Sequence, residues 1–223
     1  MNFIKKLLPD VKKTIKRFPI TIILCLLLFV FSQIIIEKTN KDSILKFILT
    51  IIPAIFLFTA LKLLNSKYIK DTKLKITLYI AGLIPFLIFF IFYPGLNDVK
   101  RVGIFSSLLL SSILFLVISE FLFDKEYLDN LRINILQIVN NFIISVFFSG
   151  IFYLGIVIAI LVTDTLFNIE IKGTTYFRVF LFFATIYAPF LFLSYYPEHL
   201  SKKTTKSIDS NSDIYSKIDV TNK

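Results

Sequence analysis

Residues 142–162 read FIISVFFSGIFYLGIVIAILV, a run of 21 residues that contains no charged side chain. A helix rises about 1.5 Å per residue, so a run of this length crosses the roughly 30 Å hydrocarbon core of a bilayer. Five further apolar runs lie along the chain at about 19–36, 44–64, 74–93, 102–123 and 175–196. The sequence therefore predicts an all-α fold, a polytopic bundle of six transmembrane helices within residues 19–197.

The composition agrees with a membrane protein and argues against nucleic acid as a partner. The chain of 223 residues is 56% hydrophobic, whereas soluble domains are about 45–50% apolar. Its net charge is +10, but the basic residues cluster beside the apolar runs and form no separate basic groove. The expected counter-charge is therefore the anionic headgroups of a lipid bilayer.

Polar and amphipathic segments border the six runs. Residues 1–18 place apolar side chains at helical spacing with Lys and Arg between them, which predicts a basic helix lying in the headgroup plane. Residues 124–141 show a similar two-faced pattern and predict an interfacial helix that leads into the fifth span, either separately or continuously. Residues 198–223 are rich in Ser, Thr, Lys, Asp and Asn and predict a disordered polar tail.

The distribution of basic residues predicts the orientation of the bundle. If the N-terminus lies in the cytoplasm, eighteen of the 25 Lys and Arg residues fall in cytoplasmic segments and seven on the other side. Lys and Arg resist translocation across the membrane. We therefore expect a multi-pass protein with both termini in the cytoplasm.

The composition excludes most catalytic and metal-binding constellations. A single His and a single Cys exclude sites that need two His, internal zinc knots and redox pairs. The six glycines are scattered and form no phosphate-binding loop. No carboxylate lies in the middle of a span, where a proton-coupled pump would need one. We expect no catalytic residue, no cofactor, no metal and no enzymatic activity.

The densest group of carboxylates comprises Glu120, Asp124, Glu126 and Asp129. Glu120 and Asp124 are four residues apart and would share one face of a helix. This group can be interpreted as a weak divalent-cation site at the inner surface. It can also be the wetted side of the interfacial helix, which is the preferred interpretation.

One pair of opposite charges borders the last two spans. Asp164 closes the fifth span and Arg178 opens the sixth on the same side of the membrane. An ion pair between them would tie the two spans together. Alternatively, Asp164 caps a short helix that follows it.

Prolines interrupt three of the spans, at Pro53, Pro85 and Pro189. Each removes a backbone donor and tends to kink a helix. Broken helices form the binding sites of transporters, yet proline is also generally tolerated in membrane helices. The three prolines are therefore candidates either for packing kinks or for a functional bend.

Small residues recur at four-residue spacing on two spans. They are Gly103, Ser107 and Ser111 on the fourth span, and Ser145 and Ser149, followed by Gly155, on the fifth. Such rows let helix backbones approach closely, where lipid offers no hydrophobic gain for association. We expect spans four and five to be tightly packed core helices. The alternative is that the rows form a seam between copies of the chain.

Several stretches carry a resemblance to one family of membrane proteins. They are Arg17-Phe18-Pro19, Asn141-Phe142, 155–159, 163–167 and 188–191 through Pro197. Over about residues 17–197 the chain resembles the N-terminal half of the DUF4153 family, uncharacterised bacterial integral membrane proteins. The resemblance implies a bacterial cytoplasmic membrane but no reaction, substrate or cofactor. Family members are longer, which implies a short member or one half of a split protein.

Two functions of different classes agree best with these features. The first is a non-enzymatic membrane component that binds a membrane-protein partner or forms a homo-oligomer. The alternative is a permease or transporter subunit for a small solute, and an enzyme acting on lipid comes third. A polar cavity framed by Pro53, Pro85 and Pro189 would favour transport, whereas a dry, filled bundle would favour the first function.

Overall fold

Every element is helical in the part of the chain that the computed structural model describes, residues 11–37, 42–68, 71–92, 99–119 and 127–195. The elements are α1 Val11–Arg17, α2 Pro19–Glu37, α3 Asp42–Tyr68, α4 Thr72–Phe92, α5 Val99–Ile118, α6 Tyr127–Phe167, α7 Gly173–Phe182, a π-helical segment Phe183–Tyr187 and α8 Ala188–Tyr195. The predicted all-α fold is thereby confirmed. Residues 1–10 of the amphipathic segment and the predicted tail at 198–223 lie outside the described residues.

Among these helices, five are long and apolar enough to cross a membrane. They cover Pro19–Glu37, Ser43–Asn65, Lys73–Phe92, Ile135–Phe167 and Gly173–Tyr195, and a shorter apolar helix covers Val102–Ile118. Helices suit this environment because they pair their backbone N–H and C=O groups internally, which a bilayer cannot do for them. The fold is the polytopic helical bundle expected from the six apolar runs, and its helices suit an integral membrane protein.

The helix at the centre of the bundle is α3. It packs against α2, α4 and α5, and its Ala60 and Leu61 are only 0% and 3% exposed. The prediction that spans four and five are tightly packed core helices is met for α5, which packs on the central helix α3, but α6 packs on α8 and the π-helical segment and is not at the centre of the described bundle. Apolar side chains contact lipid as readily as protein, so the composition of a run does not reveal which helix is surrounded.

The group around α3 is joined to the last span by α2. One part of α2 packs on α3, and another packs on α7 and the π-helical segment. At one end of the bundle Phe18, between α1 and α2, is 1% exposed. It clusters there with Leu63, Leu116, Ile138 and Leu193, so one apolar cluster ties together α3, α5, α6 and α8.

From Tyr127 onward, the predicted interfacial helix and the fifth span form one continuous helix, whereas residues 124–126 of the prediction lie outside the described residues. This helix, α6, has 41 residues and is about 60 Å long. It ends at Asn168, whose φ of 51° is left-handed, and the Ile169 N–H donates to the Asp164 carbonyl oxygen at 3.3 Å. A left-handed residue followed by a hydrogen bond back across the last turn is a common helix ending.

The fourth span is shorter than the sequence predicts, because α5 ends at Ile118 and not at residue 123. Ser119 follows and is completely buried. Its hydroxyl donates to the Leu116 carbonyl oxygen at 2.8 Å, which satisfies one of the groups that a helix end leaves unpaired. The hydrophobicity of the run gives no sign of this ending.

Candidate functional site

A half-enclosed cavity of about 400 Å³ lies between α6 and the last span. One wall comes from α6, between Phe142 and Tyr153, and the other from α7, the π-helical segment and α8. Thr21 of α2 and Thr59 of α3 contribute hydroxyl groups to a lining that is otherwise mostly apolar. Its volume falls within the roughly 300–1,000 Å³ of ligand pockets, so this cavity, called the α6 cavity below, is the first candidate site.

Serine and threonine hydroxyls of the α6 cavity are hydrogen-bonded within the protein. The Thr59 hydroxyl donates to the Ile55 carbonyl oxygen at 2.6 Å. Its Oγ1 lies 3.1 Å from Oγ1 of Thr21, so Thr21 is the donor between the two. Ser145 donates to the Asn141 carbonyl oxygen at 2.7 Å. These hydroxyls line the cavity without being left unpaired in it.

The last span is irregular where it borders the α6 cavity. The Ala188 N–H donates to the Phe183 carbonyl oxygen, five residues earlier, which makes this turn π-helical. Pro189 follows directly, and proline has no N–H with which to continue the regular ladder. The Ser149 hydroxyl of α6 donates to the same Phe183 carbonyl oxygen at 3.0 Å. Ser149 and Pro189 therefore meet at one irregular turn, a kind of turn that often occurs at functional sites.

Aromatic rings form one end of the α6 cavity. Tyr153 meets Phe180 and Phe183 edge to face, with ring centroids 5.6 and 6.3 Å apart. Tyr187, which does not line the cavity, supports Phe183 by a similar contact at 5.4 Å. Such pairs contribute about 0.5–1.5 kcal/mol each beyond the burial of their surfaces. The contacts hold these rings in defined positions at the end of the cavity.

The small residues of α5 line a second cavity. Gly103, Ser107 and Ser111 are exposed and lie, with Pro85, along a groove of about 690 Å³ between α4 and α5, called the α4–α5 groove below. A Cβ added to Gly103 would meet no atom within 4 Å. Within the described part of the chain this row therefore does not pack tightly against another helix, contrary to the expectation.

The row of small residues on α6 divides into two parts. Ser145 and Ser149 are buried, at 1% and 5% exposed, and they face the last span across the α6 cavity. Gly155 is exposed, and a Cβ added to it would meet nothing within 4 Å. Only the first part of the row lies in a buried position, and the close contact expected at Gly155 is not found within the described chain.

The three prolines occupy separate environments. Pro53 is fully buried inside α3, Pro85 lines the α4–α5 groove, and Pro189 lines the α6 cavity. They do not frame one polar cavity, which transport would have favoured. The bundle is also not completely filled, because it contains the α6 cavity. The lining of this cavity is mostly apolar.

The predicted ion pair between Asp164 and Arg178 is replaced by a different pair. Arg178 Nη2 donates to Glu37 Oε1 at 2.7 Å and so joins α7 to the end of α2. Asp164 Oδ1 accepts the Ile171 N–H at 3.3 Å and braces the turn after α6. The start of the last span packs on α2, which brings Arg178 to a carboxylate 141 residues away. Both side chains are substantially exposed, at 42% and 66%, so the pair contributes at most about 1 kcal/mol.

The sequence pattern does not single out Glu37, Gly82 or Asn65, which the structure makes notable. A Cβ added to Gly82 of α4 would lie 2.7 Å from Cδ1 of Leu61, so a side chain of α3 packs directly over this glycine. Asn65 is 3% exposed, and within the described structure neither its Nδ2 nor its Oδ1 has a hydrogen-bond partner. No second small residue lies four positions from Gly82, so it does not belong to a row of small residues. Asn65 lies at the polar end of an apolar run, where an asparagine is not unusual.

The carboxylate group around residue 124 falls outside the part of the chain that the structure describes. Glu120, Asp124 and Glu126 lie outside the described residues, as does the side chain of Asp129. Within the described part of the chain, no three His, Cys, Asp or Glu side chains are grouped as a metal site requires. The interpretation of these carboxylates as a cation site stays a prediction.

Two cavities of different character thus make up the candidate site. The α6 cavity is bordered by paired hydroxyls, aromatic rings and an irregular turn, and the α4–α5 groove is bordered by exposed small residues. Comparison of the chain with protein-family models, with curated proteins and with solved structures finds no match.

Proposed function

We propose that this protein is a non-enzymatic membrane component that receives a transmembrane helix of a membrane-protein partner in the α4–α5 groove. The observation that carries the proposal is the position of Gly103, Ser107 and Ser111, which are exposed along this groove. A row of small residues permits close backbone contact. Within the described chain no helix makes that contact at Gly103, so a partner helix is the natural occupant.

In a bilayer, a row of small residues favours helix association more than the large apolar side chains beside it do. Large apolar side chains such as Ile104, which is 57% exposed, gain little by exchanging lipid for protein. Small residues gain dispersion contacts because two backbones can approach over several turns. Ser107 and Ser111 also carry hydroxyls that can donate across such an interface. These properties support a helix-binding groove over a lipid-filled one.

Photocrosslinking from Ser107 tests the groove. In a Cys25→Ser background, Ser107→Cys carries a short photoreactive maleimide, and we expect a severalfold stronger protein adduct in native membranes than from Ser106→Cys. Ser106 is the matched control because it is also exposed on α5 but does not line the groove. A product with the mass of two chains would identify a second copy as the partner. Equal adducts from both positions, or none, would contradict the proposal.

We also propose that the protein lies in a bacterial cytoplasmic membrane with both termini in the cytoplasm. The unequal distribution of Lys and Arg, eighteen against seven, supports this orientation. A reporter enzyme fused after Lys223 is expected to be active only in its cytoplasmic form. Activity of a periplasm-dependent reporter at the same position would reverse the orientation.

Membership of the DUF4153 family is proposed on the resemblance of the residues. Several of the residues that carry it take part in the helix contacts described above. Phe18 is in the apolar cluster at one end of the bundle, the Asn141 side chain donates to the Tyr195 carbonyl oxygen at 3.1 Å, and Pro189 follows the π-helical turn. Residues that hold helices together would be shared by proteins with the same membrane fold. The resemblance does not suggest a reaction.

A permease or transporter subunit for a small solute is the second candidate. It is favoured by the α6 cavity and the π-helical turn, since irregular helices border many transporter sites. The hydroxyls of Thr21, Thr59, Ser145 and Ser149 already bond within the protein. The cavity wall therefore has little to offer a polar solute, which places this candidate second.

A further inference from the structure

We propose that the α6 cavity binds one acyl chain of an anionic membrane lipid, whose headgroup lies beside α1. This site is separate from the α4–α5 groove and does not depend on the partner-binding function. The inference combines the length of the cavity, the chemistry of its wall and the charge at one end.

The length of the cavity fits an acyl chain. Its α6 wall runs from Phe142 to Tyr153, a rise of about 16 Å. This is about half of the roughly 30 Å hydrocarbon thickness, which is the depth of one leaflet. Phe142 and Val146, which line the cavity, are 53% and 49% exposed. The cavity therefore opens on the outer surface of the bundle, where a lipid chain can enter sideways.

The chemistry of the wall selects an apolar occupant. Its hydroxyls at Ser145 and Ser149 bond to carbonyl oxygens of the protein, and the rest of the lining is mostly apolar. A buried water needs two to four polar partners, and this wall does not offer them to a row of waters. Empty space would forfeit dispersion contacts along the whole wall. A hydrocarbon chain supplies those contacts and requires no hydrogen bonds.

The charge at one end of the cavity fits an anionic headgroup. The lining includes Thr21, near the start of α2, and Leu193, near the end of α8. The basic helix α1 packs against both of these helices, so it lies at this end. Its Lys12 and Lys16 are exposed and four residues apart, hence on one face. Exposed bases near a bilayer attract anionic headgroups.

The test uses two leucine substitutions on the same helix. Gly150 lines the cavity, and a Cβ added there would meet nothing within 4 Å, as is also true at Gly155. Gly150→Leu should therefore fill the cavity without disturbing the backbone. Gly155→Leu adds the same side chain on α6 outside the cavity. Both variants are checked for folding by gel filtration, and Ala184→Leu, which enters the cavity from the π-helical segment, is a second filling variant.

The purified full-length protein is reconstituted with phosphatidylglycerol that carries a photoreactive group midway along one acyl chain, and labelled peptides are mapped. We expect labelling on both walls of the cavity. The labelling should fall at least about fivefold in Gly150→Leu because the added carbons exclude the acyl chain, and it should not fall in Gly155→Leu.

The double substitution Lys12→Gln with Lys16→Gln should reduce the preference for phosphatidylglycerol over phosphatidylcholine. Equal labelling of the two leucine variants, or labelling unaffected by Ala184→Leu, would overturn the acyl-chain site. An unchanged lipid preference in the lysine variant would overturn the headgroup assignment.

Discussion

The Gly82→Leu variant is expected to displace the Leu61 and Leu57 side chains of α3 from their packed positions and to lower the thermal unfolding midpoint of the solubilised protein. A Cβ at Gly82 would already lie 2.7 Å from Cδ1 of Leu61 and 3.1 Å from Cδ2 of Leu57. Leu61 is 3% exposed and clusters with Phe86, so it has little room to move. Overfilling a packed core costs typically about 1–3 kcal/mol and occasionally more, and the remaining carbons of leucine place this change at the upper end.

Gly103→Leu and Gly155→Leu are the matched controls for this measurement. Each replaces a helical glycine at which an added Cβ would meet nothing within 4 Å. All three variants gain the helix propensity of leucine over glycine, up to about 1 kcal/mol. Circular dichroism should therefore show a lower midpoint for Gly82→Leu and an equal or higher midpoint for the controls. Three equal midpoints would contradict the packing of α3 side chains over Gly82.

Phe18→Ala is expected to destabilise the folded bundle by about 3–5 kcal/mol, the usual range for a buried phenylalanine. Phe18 is 1% exposed and belongs to the apolar cluster that joins α3, α5, α6 and α8 at one end of the bundle. The Arg17 guanidinium also lies over its ring, 5.0 Å from the centroid. Truncation to alanine leaves a cavity that helices anchored on several sides cannot close, so the lost dispersion contacts are not replaced.

Phe92→Ala separates this effect from the loss of an aromatic ring as such. Phe92 is 77% exposed at the end of α4, where lipid or detergent replaces the lost contacts at little cost. Unfolding of both variants in denaturant should show a large decrease in the free energy of unfolding for Phe18→Ala and a change near zero for Phe92→Ala. Similar decreases for both would show that Phe18 is not the anchor of this cluster.

Local patterns predict the helices well and their ends less well. The runs were recognisable because a bilayer requires a minimum apolar length for each span. The end of α5 at Ile118 was not, because it depends on the Ser119 hydroxyl and its bond to the Leu116 carbonyl oxygen. The sequence likewise does not decide whether α6 is continuous from Tyr127. An amphipathic segment followed by an apolar one is compatible with either one helix or two.

The residues of the candidate site were only partly recognisable. Ser145, Ser149 and Pro189 stood out by spacing and residue type, and the structure brings them to one cavity. Thr21 and Thr59, 38 residues apart, gave no pattern, since one hydroxyl in an apolar run is ordinary. The sequence predicts Asp164, which borders the adjacent span, as the partner of Arg178, but the bundle supplies Glu37 from α2. Such pairings depend on which helices are neighbours.

By itself the sequence determined that this chain forms apolar helices long enough to cross a bilayer, because an apolar solvent imposes both their length and their internal hydrogen bonding. Only the tertiary structure decided that α3 is central, that Gly82 and not Gly103 is the point of close approach, and where the two cavities lie. The physical reason is that lipid and protein are almost equivalent surroundings for an apolar side chain. Which faces are buried then depends on how the shapes of helices distant in sequence fit together.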